Sequence, residues 1–388
     1  MRHKSMYYTL LLLGIILVIP QVGCAGNQGP ALQWSHTFND GGGYSAQQTI
    51  DGAYILYGPT LIKTDTGGNK IWNKAFKNGW GFLAQQTKDG GYIICGYISF
   101  DGADGDNVWL IKTDANGNKL WDEKFGDKDR RDRIHSIQQT TDGGYVMCGE
   151  TAAQPFGHYD IWLIKTDANG NKLWDKTFGD ERDDIGNSVQ QTKDGGYIVC
   201  GETRVSSDYS GSVWLIKTDA DGNKLWDKIF DGEAYDLPDL CYYVRSVQQT
   251  TDGGYIVCGT EDKRSIKAGS YNAWLMKTDA AGNKMWDKRF GGRKDSYGHA
   301  VQETAGGGYV ICGSVTTQRF GPWSKTAIWL IKTDADGNML WDGTFSGNGQ
   351  AGGNSVQQTA DGGYIVCGDT RSRGAEGYST LLLKIAPE

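Results

Sequence analysis

The chain has 388 residues, 57 of them Gly and only 7 Pro, with a formal net charge of −7 and a pI near 5.3. That length is enough for a large core, and all-β folds often run this long as one domain. An acidic balance with no basic stripe lacks the electrostatics that a phosphate backbone requires, so no nucleic-acid partner is expected.

The N-terminus carries Arg2 and Lys4, an apolar run from Leu10 to Ile19, and then Pro20-Gln21-Val22-Gly23-Cys24. A basic head, a short apolar segment and small residues before a cleavage point predict a secretory leader over 1–23, and hence export. The ending Val22-Gly23-Cys24-Ala25 resembles a prokaryotic lipobox, with Gln21 where an aliphatic residue is usual. The resemblance implies that Cys24 is lipidated and becomes the mature N-terminus, anchoring the protein to a membrane at the cell surface or in the periplasm. Two acyl chains hold where one would not. An ordinary cleaved signal and an uncleaved anchor stay open as alternatives, although the apolar run is short for a spanning helix. Residues 24–30 read as a linker and 31–388 as the folded domain.

Residues Ala31 to Phe38 contain a lone strand pattern with Trp34 near its centre, and after it a four-part phrase repeats to the end of the chain. Each unit has a strand a (S-V-Q-Q-T), a turn on Asp-Gly-Gly, a strand b (G-Y-I-V-C-G), a strand c (W-L-I-K-T-D), a turn on Asn-Gly or Asp-Gly, and a strand d (G-N-K-L-W-D-K-T-F). Two apolar runs around Asn-Gly are the strongest short hairpin signal, as in Ile161–Phe178 around Asn169-Gly170. Strand a recurs seven times, beginning near Ser45, Leu83, Ser136, Ser188, Ser246, Ala300 and Ser355.

Four short strands at a period of about 40 to 60 residues are the mark of a β-propeller. The b and c strands are apolar without alternation, as expected when both faces of a sheet are covered. The fold expected is therefore all-β: a seven-bladed β-propeller with four antiparallel strands per blade. The seventh unit supplies a, b and c (Leu381–Ile385) and ends without a d strand. Trp34–Phe38 is expected to fill that place, closing the ring and removing the exposed sheet edges of an open array. Such a ring is expected to act as a monomer.

Because strand direction alternates, the a–b and c–d turns fall on one face of the disc and the b–c and d–a loops on the other. The first face is nearly uniform; the second carries all variation in length, up to the segments 231–245 and 259–273. Binding belongs on the variable face. The residue just before each strand a should ring the channel mouth there: Tyr44, Phe82, His135, Asn187, Arg245, His299 and Asn354. This one position is chemically diverse inside strict repetition, as a ligand-binding mouth would be; a solvated rim free to drift would look the same. Aromatics in the variable segments, namely Trp80, Phe100, Phe156, Tyr159, Tyr209, Tyr235, Tyr243, Phe320 and Trp323, could stack on sugars or peptides or simply pack their own loops.

Other features invite site readings and favour structural ones. Six of the eight cysteines (Cys95, Cys148, Cys200, Cys258, Cys312 and Cys367) share one repeat position, held by Tyr57 in the first unit. Equivalent positions in neighbouring blades should be too far apart to bridge, so buried thiols packing as small hydrophobes are expected. No second ligand stands at zinc spacing, and no metal or cofactor is expected. Cys241, alone in a predicted loop, is a candidate reactive thiol. Asp114–Asn118 resembles a calcium loop but lacks the Gly and Glu an EF-hand needs, so Asp capping of the turn is expected. The run 101–107, with three carboxylates, is the better calcium candidate. The paired glutamines of strand a should bond between crowded inner strands; Glu303 alone replaces the second of them.

Across 31–388 the phrases D-G-G-Y-I-V-C-G and W-L-I-K-T-D-x-x-G-N-K-x-W resemble those of prokaryotic exported, lipoprotein-type β-propeller repeat proteins. There is distant similarity to the tryptophan-docking repeat of quinoprotein propellers, with Asp-to-Trp spacing one residue shorter, and to kelch repeats. None of these resemblances carries catalytic residues onto this chain. The function expected is a non-enzymatic surface binding or scaffold propeller that presents its variable face to a protein or glycan. A quinoprotein-like oxidoreductase and a polysaccharide hydrolase are the alternatives, since propeller sites assemble from separated loops and leave no local motif.

Overall fold

The computed structural model describes residues 29–76, 79–99, 106–127, 130–152, 158–204, 211–230, 240–263, 271–292, 294–320, 323–346, 349–371 and 377–388. The leader, Cys24 and most of the calcium candidate 101–107 lie outside these, as do Phe100, Phe156, Tyr209 and Tyr235.

Seven four-stranded antiparallel sheets form a ring. Blade four is representative: a (Asp184–Gln191), b (Tyr197–Arg204), c (Gly211–Thr218) and d (Lys224–Phe230), paired in that order. Strands b and c are buried along almost their whole length, and this is why their sequences do not alternate. The core lies between blades: Cys200 and Leu215 of blade four, for example, pack with Tyr255, Val257 and Met276 of blade five. Seven such clusters run round the ring.

A d-strand tryptophan interlocks each blade with the next. The rings of Trp34, Trp72, Trp121, Trp174, Trp226, Trp286 and Trp341 meet the tyrosine that opens the next strand b, with centroids 5.6–6.2 Å apart and tilted to edge-on planes. Such geometry suits the aromatic quadrupole. Trp174 also packs on the following c–d turn, where a Cβ on Gly222 would come within 2.6 Å of the ring and φ is +77°. Only glycine meets both demands. Trp341 faces a blade with no c–d turn, and there Gly29 supplies the flat surface instead, its would-be Cβ 2.6 Å from the indole.

The ring closes as the sequence predicts. Leu32–Phe38 pairs antiparallel with Ser379–Ile385, placing Trp34 opposite Lys384, His36 opposite Leu382 and Phe38 opposite Thr380. Trp34 is half-buried against Tyr54 of blade one.

The innermost strands are laced by the paired glutamines. In every blade the first Gln accepts, through its side-chain oxygen, the backbone N–H of the second position in the next blade (Gln86 to Gln47, Gln139 to Gln85, and so on to Gln48 to Gln357) at 2.5–2.9 Å. The second position accepts a turn N–H of the preceding blade at 2.8–2.9 Å. Glu303 keeps this role, taking both the N–H and the hydroxyl of Thr251.

On the uniform face, six blades share a second device. The lysine of strand c is buried and pairs at 2.8–3.0 Å with the half-exposed Asp of the a–b turn: Lys63–Asp51, Lys112–Asp89, Lys165–Asp142, Lys217–Asp194, Lys277–Asp252 and Lys384–Asp361. The c–d turns are capped as expected, with Asp114 Oδ1 accepting the N–H groups of Asn116 and Asn118.

Three sequence expectations need correction. Strand a begins earlier than its Ser-Val-Gln-Gln core, at Gly79, Asp132, Asp184, Leu240, Ser296 and Gln350 in blades two to seven. Cys241 therefore lies inside a strand and is buried, 1% exposed, so the reactive-thiol reading fails. Several "loop" aromatics are strand residues: Trp80, Tyr159 and Tyr243 lie in strands, while Phe320 and Trp323 face each other in register at the end of the long blade-six hairpin. The other six described cysteines are buried and unbridged, and burial pushes the Cys258 thiol up to about 12.

Two outcomes test this architecture. Trp34→Ala should lower stability by about 2 kcal/mol, below the cost of a fully buried tryptophan because the ring is half-exposed; an unchanged denaturant midpoint would contradict the closure. The second concerns acid. Burial acts to raise the carboxyls of Asp142, Asp252 and Asp361, but bonds from their lysine and threonine neighbours outweigh it and hold each at about 2. Stability from a depressed carboxyl is present above its unfolded value of about 4 and is lost as pH falls through about 2. Urea midpoints should therefore drop between pH 5 and pH 2, and drop less in the triple variant D142N/D252N/D361N. An identical drop in that variant would count against the pairs.

Candidate functional site

Six of the seven candidate mouth residues share one backbone feature. In blades two to seven the a–b register slips at Phe82, His135, Asn187, Arg245, His299 and Asn354, each of which is an extra residue between two paired ones. They are thus not residues preceding a strand, as the sequence pattern implied, but β-bulges within it. Tyr44 keeps the predicted place, directly before strand a (Ser45–Gln48), where its N–H donates to the Tyr57 carbonyl that faces Ser45 in register. A bulge takes its side chain out of the ladder's alternation and re-aims it. The repeat uses this device at a strand-a position where residue type changes from blade to blade, as it also does at the two positions before it.

Four of the bulge side chains are held by hydrogen-bond partners. His299 Nδ1 donates to the Gly353 carbonyl of blade seven at 2.7 Å, and Asn354 Nδ2 donates to the Gly43 carbonyl of blade one at 2.8 Å. Each reaches the residue just before the next blade's mouth position. Asn354 also donates to Asp369 Oδ1 at 3.0 Å, Asn187 to Glu202 at 3.3 Å, and His135 Nε2 lies 2.8 Å from Glu150 Oε2. Burial raises the Asp369 carboxyl above its ordinary range, with the Asn354 bond acting against it. The His299 imidazole is pulled below its usual value by burial and by the Arg245 charge, the Gly353 bond opposing them. It is therefore neutral at pH 7. Arg245 is exposed and forms no ion pair among the described residues.

Taken round the ring, the rim has two parts. Tyr44, 41% exposed, and Phe82 stand in adjacent blades one and two, while the polar positions His135, Asn187, Arg245, His299 and Asn354 fill blades three to seven. The acidic partners Glu150, Glu202 and Asp369 are residues the sequence reading did not single out. Each follows the Cys-Gly of strand b, where Tyr97, Thr260 and Ser314 stand in other blades. That position varies as the bulge does, and the variation is the signal that could have found it.

Among the described residues no group of three or more His, Cys, Asp or Glu is placed to hold a metal ion. His135 and His299 sit three blades apart, too far round the rim to share one. Asp106 and Asn107 of the calcium candidate are strand residues, Asn107 being buried.

No protein-family model and no curated protein sequence matches the chain. Solved structures do match. The chain is similar to the Dos1 propeller (9% identity, 91% of this chain and 95% of that one, TM-score 0.52). It is also similar to BBS1N in a complex with ARL6DN (9%, 93% and 98%, 0.51) and to an α-L-arabinanase of Penicillium chrysogenum complexed with arabinobiose (11%, 78% and 92%, 0.51). At such identities the likeness is one of fold.

If the bulge residues divide into braces and a free contact, their substitutions should differ. Asn354→Leu, which removes a hydrogen bond from the half-buried Asp369, should cost about 1–3 kcal/mol, whereas Arg245→Ala should stay within about 0.5 kcal/mol of wild type. Equal costs in chemical denaturation would contradict this division.

Proposed function

We propose that the protein is a non-enzymatic binding propeller whose partner, a protein or glycan, docks on the variable-loop face over the channel mouth. The observation that carries this reading is the bulge: one position, freed from the strand ladder in blades two to seven, holds Phe82, His135, Asn187, Arg245, His299 and Asn354 in turn, with Tyr44 at the equivalent place before strand a of blade one. A purely structural bulge would tolerate one residue type repeated, as the neighbouring Gln pair and Cys are. The aromatic side would supply contact area at low entropy cost and Arg245 a charged anchor, both common in recognition hot spots. The polar side chains are held in place, His299 and Asn354 by the next blade and His135 and Asn187 by an acidic residue of their own blade, which limits the ordering cost of binding.

Export and a diacyl anchor at Cys24 belong to the same proposal. They would set the disc on a membrane through a short tether, with the mouth available to a partner outside the cell or in the periplasm. Oxidoreductase and polysaccharide-hydrolase activities are separable outcomes of the same experiments.

A glycan and protein binding screen with the full chain should yield a partner whose affinity falls at least tenfold in Arg245→Ala and in Tyr44→Ala, while the melting temperature holds. Retained affinity in both variants would remove the mouth from the account. Sugar release or quinone absorbance by the purified protein would replace it with an enzyme. Intact-mass measurement of the mature N-terminus tests the anchor, with a diacylated Cys24 expected and an unmodified residue contrary.

A further inference from the structure

Blade six breaks the ion-pair pattern of the uniform face. Its a–b turn reads Thr304-Ala305-Gly306-Gly307-Gly308, with Gly306 where six blades have the aspartate that pairs with the strand-c lysine. The lysine is still there. Lys332 is 4% exposed, and among the described residues its ammonium donates only to the carbonyls of Gly307 and Thr333, at 2.8 and 3.0 Å. A buried ammonium holding two neutral carbonyls and no carboxylate is a costly arrangement.

The other donors of the lost carboxylate are also redirected. In the other blades the aspartate accepts a threonine hydroxyl as well (Thr250 to Asp252, Thr192 to Asp194), and the N–H of the residue two positions on (Gly254, Gly196). In blade six the Thr304 hydroxyl turns to the Gly307 carbonyl, and Gly308 takes a φ of +69° that its counterparts do not share. A cavity of about 410 Å³ opens there between blades six and seven, lined by Gly306, Gly308, Lys332, Gln358, Tyr364 and Glu388 among others. Glu388 accepts the Tyr364 hydroxyl and forms no ion pair with Lys332, though its charge and that of Asp334 act on the ammonium from the cavity wall.

We propose that this cavity is a carboxylate-binding site, in which a carboxylate from outside the chain occupies the place left by the missing aspartate and pairs with Lys332. The six intact blades show the geometry it would adopt: one oxygen within about 3 Å of the ammonium, the other toward the threonine hydroxyl and turn N–H. The site lies on the face opposite the channel mouth, so it stands or falls independently of the partner proposed there.

The structure also supplies the control. A Cβ at Gly306 would meet nothing within 4 Å and no left-handed φ is required, so Gly306→Asp can restore the internal pair without a clash. Thermal unfolding of the full chain would be followed with sodium acetate and with the blocked peptide Gly-Asp-Gly, against sodium chloride of equal ionic strength and blocked Gly-Asn-Gly. A carboxylate at tenfold over its Kd should raise the wild-type Tm by about 2 °C. Gly306→Asp should raise Tm without ligand and abolish the response, and Lys332→Met should abolish it as well. A response to acetate identifies a small-molecule site; one confined to the aspartyl peptide identifies an acidic side chain as the occupant. No response to either, or an undiminished response in Gly306→Asp, overturns the proposal, and the latter holds even if Lys332→Met fails to fold.

Discussion

The contact between each d-strand tryptophan and the opening tyrosine of the next blade is the constraint from which the rest follows. It repeats at all seven junctions, including the one between blade seven, which the N-terminal strand completes, and blade one. A sheet of four strands cannot bury both faces alone; stacked radially, each covers the next, and the ring leaves no unsatisfied end. The tryptophan sets the angle and spacing of that stack. Glutamine lacing then fixes the inner strands to one another, so positions around the channel are held by bonds that cross blade boundaries in both directions. Lateral order of this kind lets one side of the disc vary while the other stays constant.

Much of this could be read from the sequence because it is repeated. Seven copies of a short phrase average out the ambiguity of any single strand, and the turn chemistry of Asp-Gly-Gly and Asn-Gly fixes where each strand ends. The unmatched d-like segment at Trp34 and the missing d strand after Ile385 together identified the closure, since each leaves an edge that only the other can fill. The inter-blade role of the glutamines followed from crowding alone.

What repetition does not encode was harder to see. The bulges at His135 or Arg245 leave no local mark, because an extra residue in one strand is defined only against its partner; the sequence therefore suggested that strand a began after them. The same blindness placed Cys241 in a loop, since the extension of strand a in blade five has a composition of its own, Leu-Cys-Tyr-Tyr-Val. Glu150, Glu202 and Asp369 went unremarked because strand b was read for its shared phrase and not for the residue just after it. In blade six the informative event is a deletion of chemistry, Gly306 for Asp, and it acquires meaning only beside the buried Lys332 it leaves behind.

The uniform scaffold and the variable rim are one account, because the rim residues can hold fixed positions only if the ring beneath them is continuous. The most direct measurement is hydrogen exchange of the backbone amides in Leu32–Phe38. The closed ring predicts slow exchange there, comparable with that of Ser379–Ile385, with both segments opening together. Rapid exchange of Leu32–Phe38 while strands b and c of every blade stay protected would mean an open array, and the rim would lose its frame.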